Sequence, residues 1–207
     1  MRKHKRKKIF AFIDSQNLNL GTSKDIYKGR KRIYKGWKLD FKKFRRYLSD
    51  KFRVTKAFLF IGYIAKNKKL YRRLKSDGYH LVFKPTVMDS QGKPKGNVDT
   101  ELVVWTMRFV YEKVCDQAII VSGDGDFAVL ADFLLEKNRL LKFIVPNYKT
   151  MSILIKKVFI KKKKMNLLSS LNDDQEKLAI KNRFIVAVTG KHLVSRTGGD
   201  TFINHIG

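Results

Sequence analysis

The stretch AIIVSGDGDF, residues 118–127, decides how the rest of the chain is read. Ala118 to Ser122 form a short apolar run of the kind that makes a buried strand. The chain then turns at Gly123 and Gly125 and presents two carboxylates, Asp124 and Asp126, one glycine apart. Residues DFAVLADFLLEKN (126–138) follow with the pattern of an amphipathic helix. A strand, an acidic turn and a helix make one β–turn–α repeat. Asp and Gly also suit turns for backbone reasons alone. On this stretch by itself, a plain turn and half of a metal site both fit.

The same pattern recurs in both directions. KIFAFI (8–13) is an apolar run ending at Asp14, and VTKAFLFIGYI (54–64), YHLVFK (79–84) and LLKFIV (140–145) read as further strands. Between them, Asp40 is placed to cap FKKFRRYLSDKF, where Phe41, Phe44, Leu48 and Phe52 recur at helical spacing. KNKKLYRRLKSDG predicts a short basic helix closed by Gly78. VDTELVVWTMRFVYEKV (98–114) predicts a long helix with Leu102, Val103, Met107, Val110 and Val114 on its core face. YKTMSILIKKVF predicts one more helix, residues 15–38 a short helix and then a loop, and PTVMDSQGKPKGN a loop. Alternating strands and helices pack as an α/β fold, with a mainly parallel central sheet of about five strands flanked by helices. The tail after about residue 172 shows no clear core pattern.

Charge narrows the class of partner. The 207 residues contain 46 Lys and Arg against 18 Asp and Glu, a formal net charge of +28. Such a balance favours polyanions, nucleic acid first, because phosphates release counterions when Lys and Arg neutralise them. An anionic membrane surface is the weaker alternative. No apolar run approaches the roughly 20 residues that span a bilayer, and nucleic acid rather than a membrane is the expected partner. The start MRKHKRKK has the charge of a signal peptide, but IFAFI is too short for its apolar core, so it reads as a basic arm. The single cysteine, Cys115, cannot form an internal disulfide. A reducing compartment fits, and cytoplasm is the expected location.

In open parallel sheets, ligands gather outside the carboxyl ends of the strands. Asp14 ends strand one, Asp124 and Asp126 follow strand four, and Asp99 opens the long helix. If strands one and four are neighbours, these four carboxylates meet at one edge. Two unit charges at about 4 Å repel by about 4 kcal/mol at an effective dielectric near 20, so the cluster requires cations or protons. All-oxygen donors select Mg²⁺ or Mn²⁺ over zinc. Such ions activate water and steady a departing oxyanion at a phosphodiester, with no need for a histidine. His4, His80, His192 and His205 all lie outside these motifs. Each acid also has a structural reading: Asp126 and Asp99 suit helix caps, and Asp14 suits a strand end. Ser122 and Asn17 are ordinary turn or cap residues. Four acids at corresponding ends, in a chain poor in acids, point to a site.

IDSQNL (13–18), KGNVDTEL (95–102) and VSGDGDF (121–127), in this order, resemble the NYN domain family of the PIN-like nuclease superfamily. The resemblance covers roughly residues 8–160. It implies a Rossmann-like PIN fold and a metal-dependent ribonuclease using Mg²⁺ or Mn²⁺. It assigns Asp14, Asp99, Asp124 and Asp126 as catalytic and metal-binding, with Asn17 and Ser122 in support. Many members carry a further aspartate six positions beyond the one matched by Asp99, and here that position is Trp105. Glu101 is close in sequence, but two residues along a helix point to another side.

The chain accordingly divides into a basic arm (1–7), a PIN-like domain (8–160) and a basic extension (161–207). Lys93 and Lys95 flank the acids, and Arg30, Lys31, Arg32 and Trp37 belong to a basic run interleaved with aromatics that suits RNA. Self-association into a homo-oligomer is compatible with the sequence. The rival class is an RNA-binding protein on a PIN-like scaffold with little or no catalysis, favoured by Trp105. A small-molecule phosphatase fits less well. Those with an aspartyl nucleophile show Asp-x-Asp after strand one, and here Ser15 and Gln16 follow Asp14.

Overall fold

The computed structural model describes residues 6–84, 87–88, 94–95 and 98–180. The basic arm up to residue 5, the intervening loop residues and the tail from 181 lie outside them, together with His4, His192 and His205. In chain order the strands are β1 (Ile9–Asp14), β2 (Ile26–Lys28), β3 (Lys31–Tyr34), β4 (Lys56–Gly62), β5 (Tyr79–Lys84), β6 (Val87–Met88), β7 (Pro94–Lys95), β8 (Gln117–Val121), β9 (Leu140–Val145) and β10 (Leu168–Ser170). The helices are α1 (Ser15–Ser23), α2 (Phe41–Phe52), α3 (Lys68–Ser76), α4 (Val98–Tyr111), α5 (Ala128–Glu136), α6 (Ile153–Lys161) and α7 (Gln175–Leu178).

Six strands form one sheet in the order β10-β9-β8-β1-β4-β5, and every neighbouring pair is parallel. All six residues of β1 are buried, as a central strand requires. Its side chains alternate between two cores. Ile9, Ala11 and Ile13 face Leu18 of α1, Phe44 and Leu48 of α2 and Leu74 of α3. Phe10 and Phe12 face Leu102 of α4, Leu130 and Leu134 of α5 and Phe159 of α6. The result is an α/β fold with a helical layer on each face of a parallel sheet.

Most local expectations match. Asp40 caps α2 by accepting from the Lys43 amide, and Gly78 takes φ +92 after α3. Three differ, each for a tertiary reason. Residues 24–38 are not a plain loop, because β2 and β3 pair as an antiparallel hairpin turning at Gly29, with φ +58. On α4, Met107 is 39 % exposed, whereas Thr106 is buried. The Thr106 hydroxyl donates back to the Leu102 carbonyl, which satisfies it within the helix and lets a polar residue face inward. The sheet also has a sixth strand. The boundary expected at residue 160 falls inside α6, and β10 pairs with β9 beyond it. Leu171 and Leu178 are then buried in the core that holds α1 and α2. No helix among the described residues is long and apolar enough to cross a membrane.

Chain order along the sheet locates the binding edge. From β1 the chain moves outward to β4 and β5, then returns through α4 to β8 on the other side of β1 and continues to β9 and β10. The direction reverses between β1 and β8. In such sheets the crevice outside the carboxyl ends at this switch point is the favoured ligand site.

Candidate active site at the carboxyl edge

Asp14 is the last residue of β1 and only 4 % exposed. Its Oδ1 accepts the amides of Gln16 and Asn17, both at 3.1 Å, and so caps α1. The pairing of Ile13 with Val121 brings Ser122 alongside Asp14. The buried Ser122 hydroxyl donates to Asp14 Oδ2 at 3.2 Å, and its oxygen accepts the Asp124 amide, also at 3.2 Å. One hydroxyl thus joins the end of β1 to the acidic turn after β8.

The turn is held from two more sides. Asn17, in the first turn of α1, accepts the Gly123 amide on its Oδ1 at 2.6 Å. The Gly123 carbonyl accepts the Ser152 amide at 2.9 Å, and the Ser152 hydroxyl caps α6. Asp124 Oδ1 accepts the Asp126 amide at 3.2 Å and caps the Gly125–Phe127 turn. The sequence allowed Asp126 to cap the helix that follows; α5 instead starts after Phe127 with no side-chain cap, and Asp124 caps the turn before it. Asp126 itself is exposed and Asp124 half-buried.

Asp99 lies half-buried in the first turn of α4. α4 packs on β1, β4 and β8 and against the Gly125–Phe127 turn. Because α4 is the crossover from β5 to β8, its N-terminus arrives at the carboxyl edge. All four expected acids therefore belong to one edge. Among the described residues, no three His, Cys, Asp or Glu side chains are grouped closely enough to hold a metal ion, so the four do not form a preassembled cage. The donors available are oxygens, which suit Mg²⁺ or Mn²⁺. Among the described residues the cysteine and the histidine lie elsewhere: Cys115 precedes β8, and His80 near the start of β5 stacks on Phe58 at 5.2 Å. Burial lifts the Cys115 thiol to about 11, so it is no thiolate at neutral pH.

Trp105 is not at this edge. Its ring packs among Phe58, Phe60 and Phe109, with centroids 5.8, 6.3 and 5.4 Å away. Six residues advance a helix by about 9 Å, so Trp105 sits well down α4 from Asp99.

The expected nucleic-acid contacts divide. Arg30, Lys31 and Arg32 are exposed on the β2–β3 hairpin, and Arg32 is tied to Asp25 at 3.2 Å. Trp37 is a correction. It is 7 % exposed, and its Nε1 donates to Asn172 Oδ1 at 3.3 Å, so its ring fills the core and cannot stack on a base. Lys93 and the side chain of Lys95 lie outside the described residues. The sequence reading missed Ser152. A serine before ILIKKVF is a legible helix cap, but its hold on Gly123 exists only in the folded chain.

The NYN domain model matches residues 8–168. No curated protein matches the chain. Among solved structures, a protein of unknown function from Vibrio parahaemolyticus shares the fold, with a TM-score of 0.63 and 19 % identity over 87 % of this chain and 100 % of that one. With the parallel sheet, the switch-point aspartates and a family match over most of its length, the chain belongs to the NYN domain family of PIN-like nucleases.

Proposed function

We propose that this protein is a Mg²⁺- or Mn²⁺-dependent ribonuclease that hydrolyses RNA phosphodiester bonds at the carboxyl edge of its sheet. The observation that supports this reading most is the Asp14–Ser122–Asp124 linkage across the β1/β8 switch point. Asp14 and Asp124 would hold the cation, with Asp99 and Asp126 completing the acidic set. When bound, the cation would lower the pKa of water and neutralise charge on the departing oxygen.

The chain's own groups do the positioning. Ser122 orients the Asp14 carboxylate, and Asn17 and Ser152 grip the two sides of Gly123 so that Asp124 is presented in one place. Arg30, Lys31 and Arg32 on the hairpin suit phosphates of a bound strand, offsetting the repulsion between substrate and carboxylates. A second reading, an RNA-binding protein with weak or no cleavage, is favoured by Trp105, which packs in an aromatic cluster where many relatives have another acid.

Labelled RNA and DNA of the same sequence, incubated with Mg²⁺ or Mn²⁺, test the proposal against Asp14→Asn and Asp124→Asn. The expected result is metal-dependent cleavage of RNA by the wild type and a loss of about a hundredfold or more in each variant. Wild type that binds RNA but cuts no faster than the variants leaves the binding reading. Faster cleavage of DNA overturns the substrate assignment.

A further inference from the structure

Tyr63 stands just past the carboxyl end of β4, the neighbour of β1 on the side away from β8. Asp14 pairs with Phe60, so Tyr63 lies three residues further along the adjacent strand direction, about 11 Å from Asp14 by strand spacing and rise. It is 46 % exposed, and Ile64 beside it is 48 % exposed. A single exposed tyrosine is ordinary. This one is built into a support. Its ring stacks on Tyr71, with centroids 5.7 Å apart and planes at 27°, and meets the edge of Phe83 at 5.4 Å. Tyr71 and Phe83 in turn contact each other at 4.9 Å.

The loop that bears Tyr63 is also pinned. The Tyr71 hydroxyl accepts the Ile64 amide at 2.7 Å and donates to the Gly62 carbonyl at 3.1 Å, bracketing Tyr63 on both sides. Tyr71 is 5 % exposed, so its ring is scaffold, and the outer ring of the stack is the one water reaches. The segment that carries it has charge of one sign. From Lys51 to Ser76 the chain contains no Asp or Glu. Lys66, Lys68, Lys69 and Arg72 are exposed, and among the described residues none of them forms an ion pair.

We propose that Tyr63 is a stacking platform for an unpaired nucleobase of the substrate strand, with the neighbouring lysines and Arg72 holding its phosphates. A rigid aromatic face beside unpaired cations matches a polyanion that carries flat apolar rings, and every base offers such a face. Paired bases within a duplex do not, so the platform assigns the substrate as single-stranded where it passes β4. This rests on nucleic acid occupying the carboxyl edge, but not on cleavage there.

The test therefore measures binding in full-length Asp14→Asn protein at fixed salt. Tyr63→Ala and Tyr63→Phe are added to that background. The probes are a single-stranded RNA, the same strand with abasic positions, and a duplex. Tyr63→Ala is expected to lose about 5- to 150-fold in affinity for the intact single strand, while Tyr63→Phe keeps it. Abasic strand and duplex should bind all three proteins equally, which also shows that Tyr63→Ala is folded. The proposal is overturned if Tyr63→Ala binds the intact strand as its parent does, if its loss persists on the abasic strand, or if the parent does not distinguish intact from abasic strand. Failure of the nuclease reading would appear separately, as absent cleavage by the wild type.

Discussion

Asn17 holds the acidic turn after β8 from the first turn of α1. Its side chain accepts the Gly123 amide at 2.6 Å, while the Gly123 carbonyl, in the next peptide unit, accepts the Ser152 amide. Asn17→Ala leaves the part-buried amide without its acceptor, an expected cost of about 1–2 kcal/mol in denaturant unfolding. Cleavage should fall while RNA affinity stays close to wild type, because Asp124 loses its fixed position and the basic surface is untouched. Introducing an acid at position 105, by Trp105→Asp, would place a carboxylate among Phe58, Phe60 and Phe109. The expected outcome is a loss of about 3 kcal/mol or more and no gain in cleavage rate, read by chemical denaturation beside the activity assay.

At the scale of elements, the basic hairpin depends on a segment far away in sequence. Asn172 follows β10, and its single Oδ1 accepts both the Tyr34 hydroxyl at 3.1 Å and the Trp37 indole at 3.3 Å. Tyr34 ends β3, and Trp37 fills the core at the start of the link to α2. The link also approaches α1 closely: a methyl group on Gly36 would fall on the Ser23 carbonyl. Asn172→Ala strands the part-buried Trp37 indole, whereas the Tyr34 hydroxyl keeps the Thr22 carbonyl at 3.1 Å as its acceptor. The substitution should cost about 1–3 kcal/mol and sharpen proteolysis within residues 24–38, measured by limited digestion of the folded protein. The hairpin escaped the sequence reading because three- and four-residue strands rich in Lys and Arg lack an apolar alternation. β10, at three residues, is too short to carry any periodic signal. The five longer strands and the capped α2 were legible because apolar runs and a helix cap act within a few residues.

For the molecule as a whole, residues 171–180 bind the end of the described chain to its first half. The Asp40 amide donates to Leu178, the Ile180 amide to Lys38, and Asp174 accepts from Lys51 at 3.0 Å and Tyr47 at 2.9 Å. Burial works against the charged form of Asp174, but the bonds from Lys51 and Tyr47 outweigh it and hold its carboxyl below the usual range. A depressed carboxylate stabilises the fold above its unfolded value, and that stabilisation is lost as pH falls through the folded one. Lys51 is shifted upward, against burial, by Tyr47 and Asp174, so its share persists through neutral pH and is lost only as pH rises through its folded value. Asp174→Asn should therefore be less stable than wild type by about 1 kcal/mol at pH 7, a modest figure because Lys51 is half exposed. The difference should shrink as the pH is lowered below the ordinary carboxylate range, as followed by urea midpoints.

The amino-acid sequence by itself determined the alternation of strands and helices, the positions of the four acids at element ends, and the excess of positive charge. These follow from short-range patterns: apolar runs, helical spacing, caps and composition. Only the tertiary structure decided that β1 lies beside β8, so that Ser122 reaches Asp14 across 108 residues of chain. It also decided that Trp37 is core, that Trp105 faces the sheet, and that Tyr63 remains outside on a two-ring support. An aromatic residue looks the same in the sequence whether it packs inward or faces water. Which it does depends on the strand and helix laid against it, and that is settled only when distant segments pack.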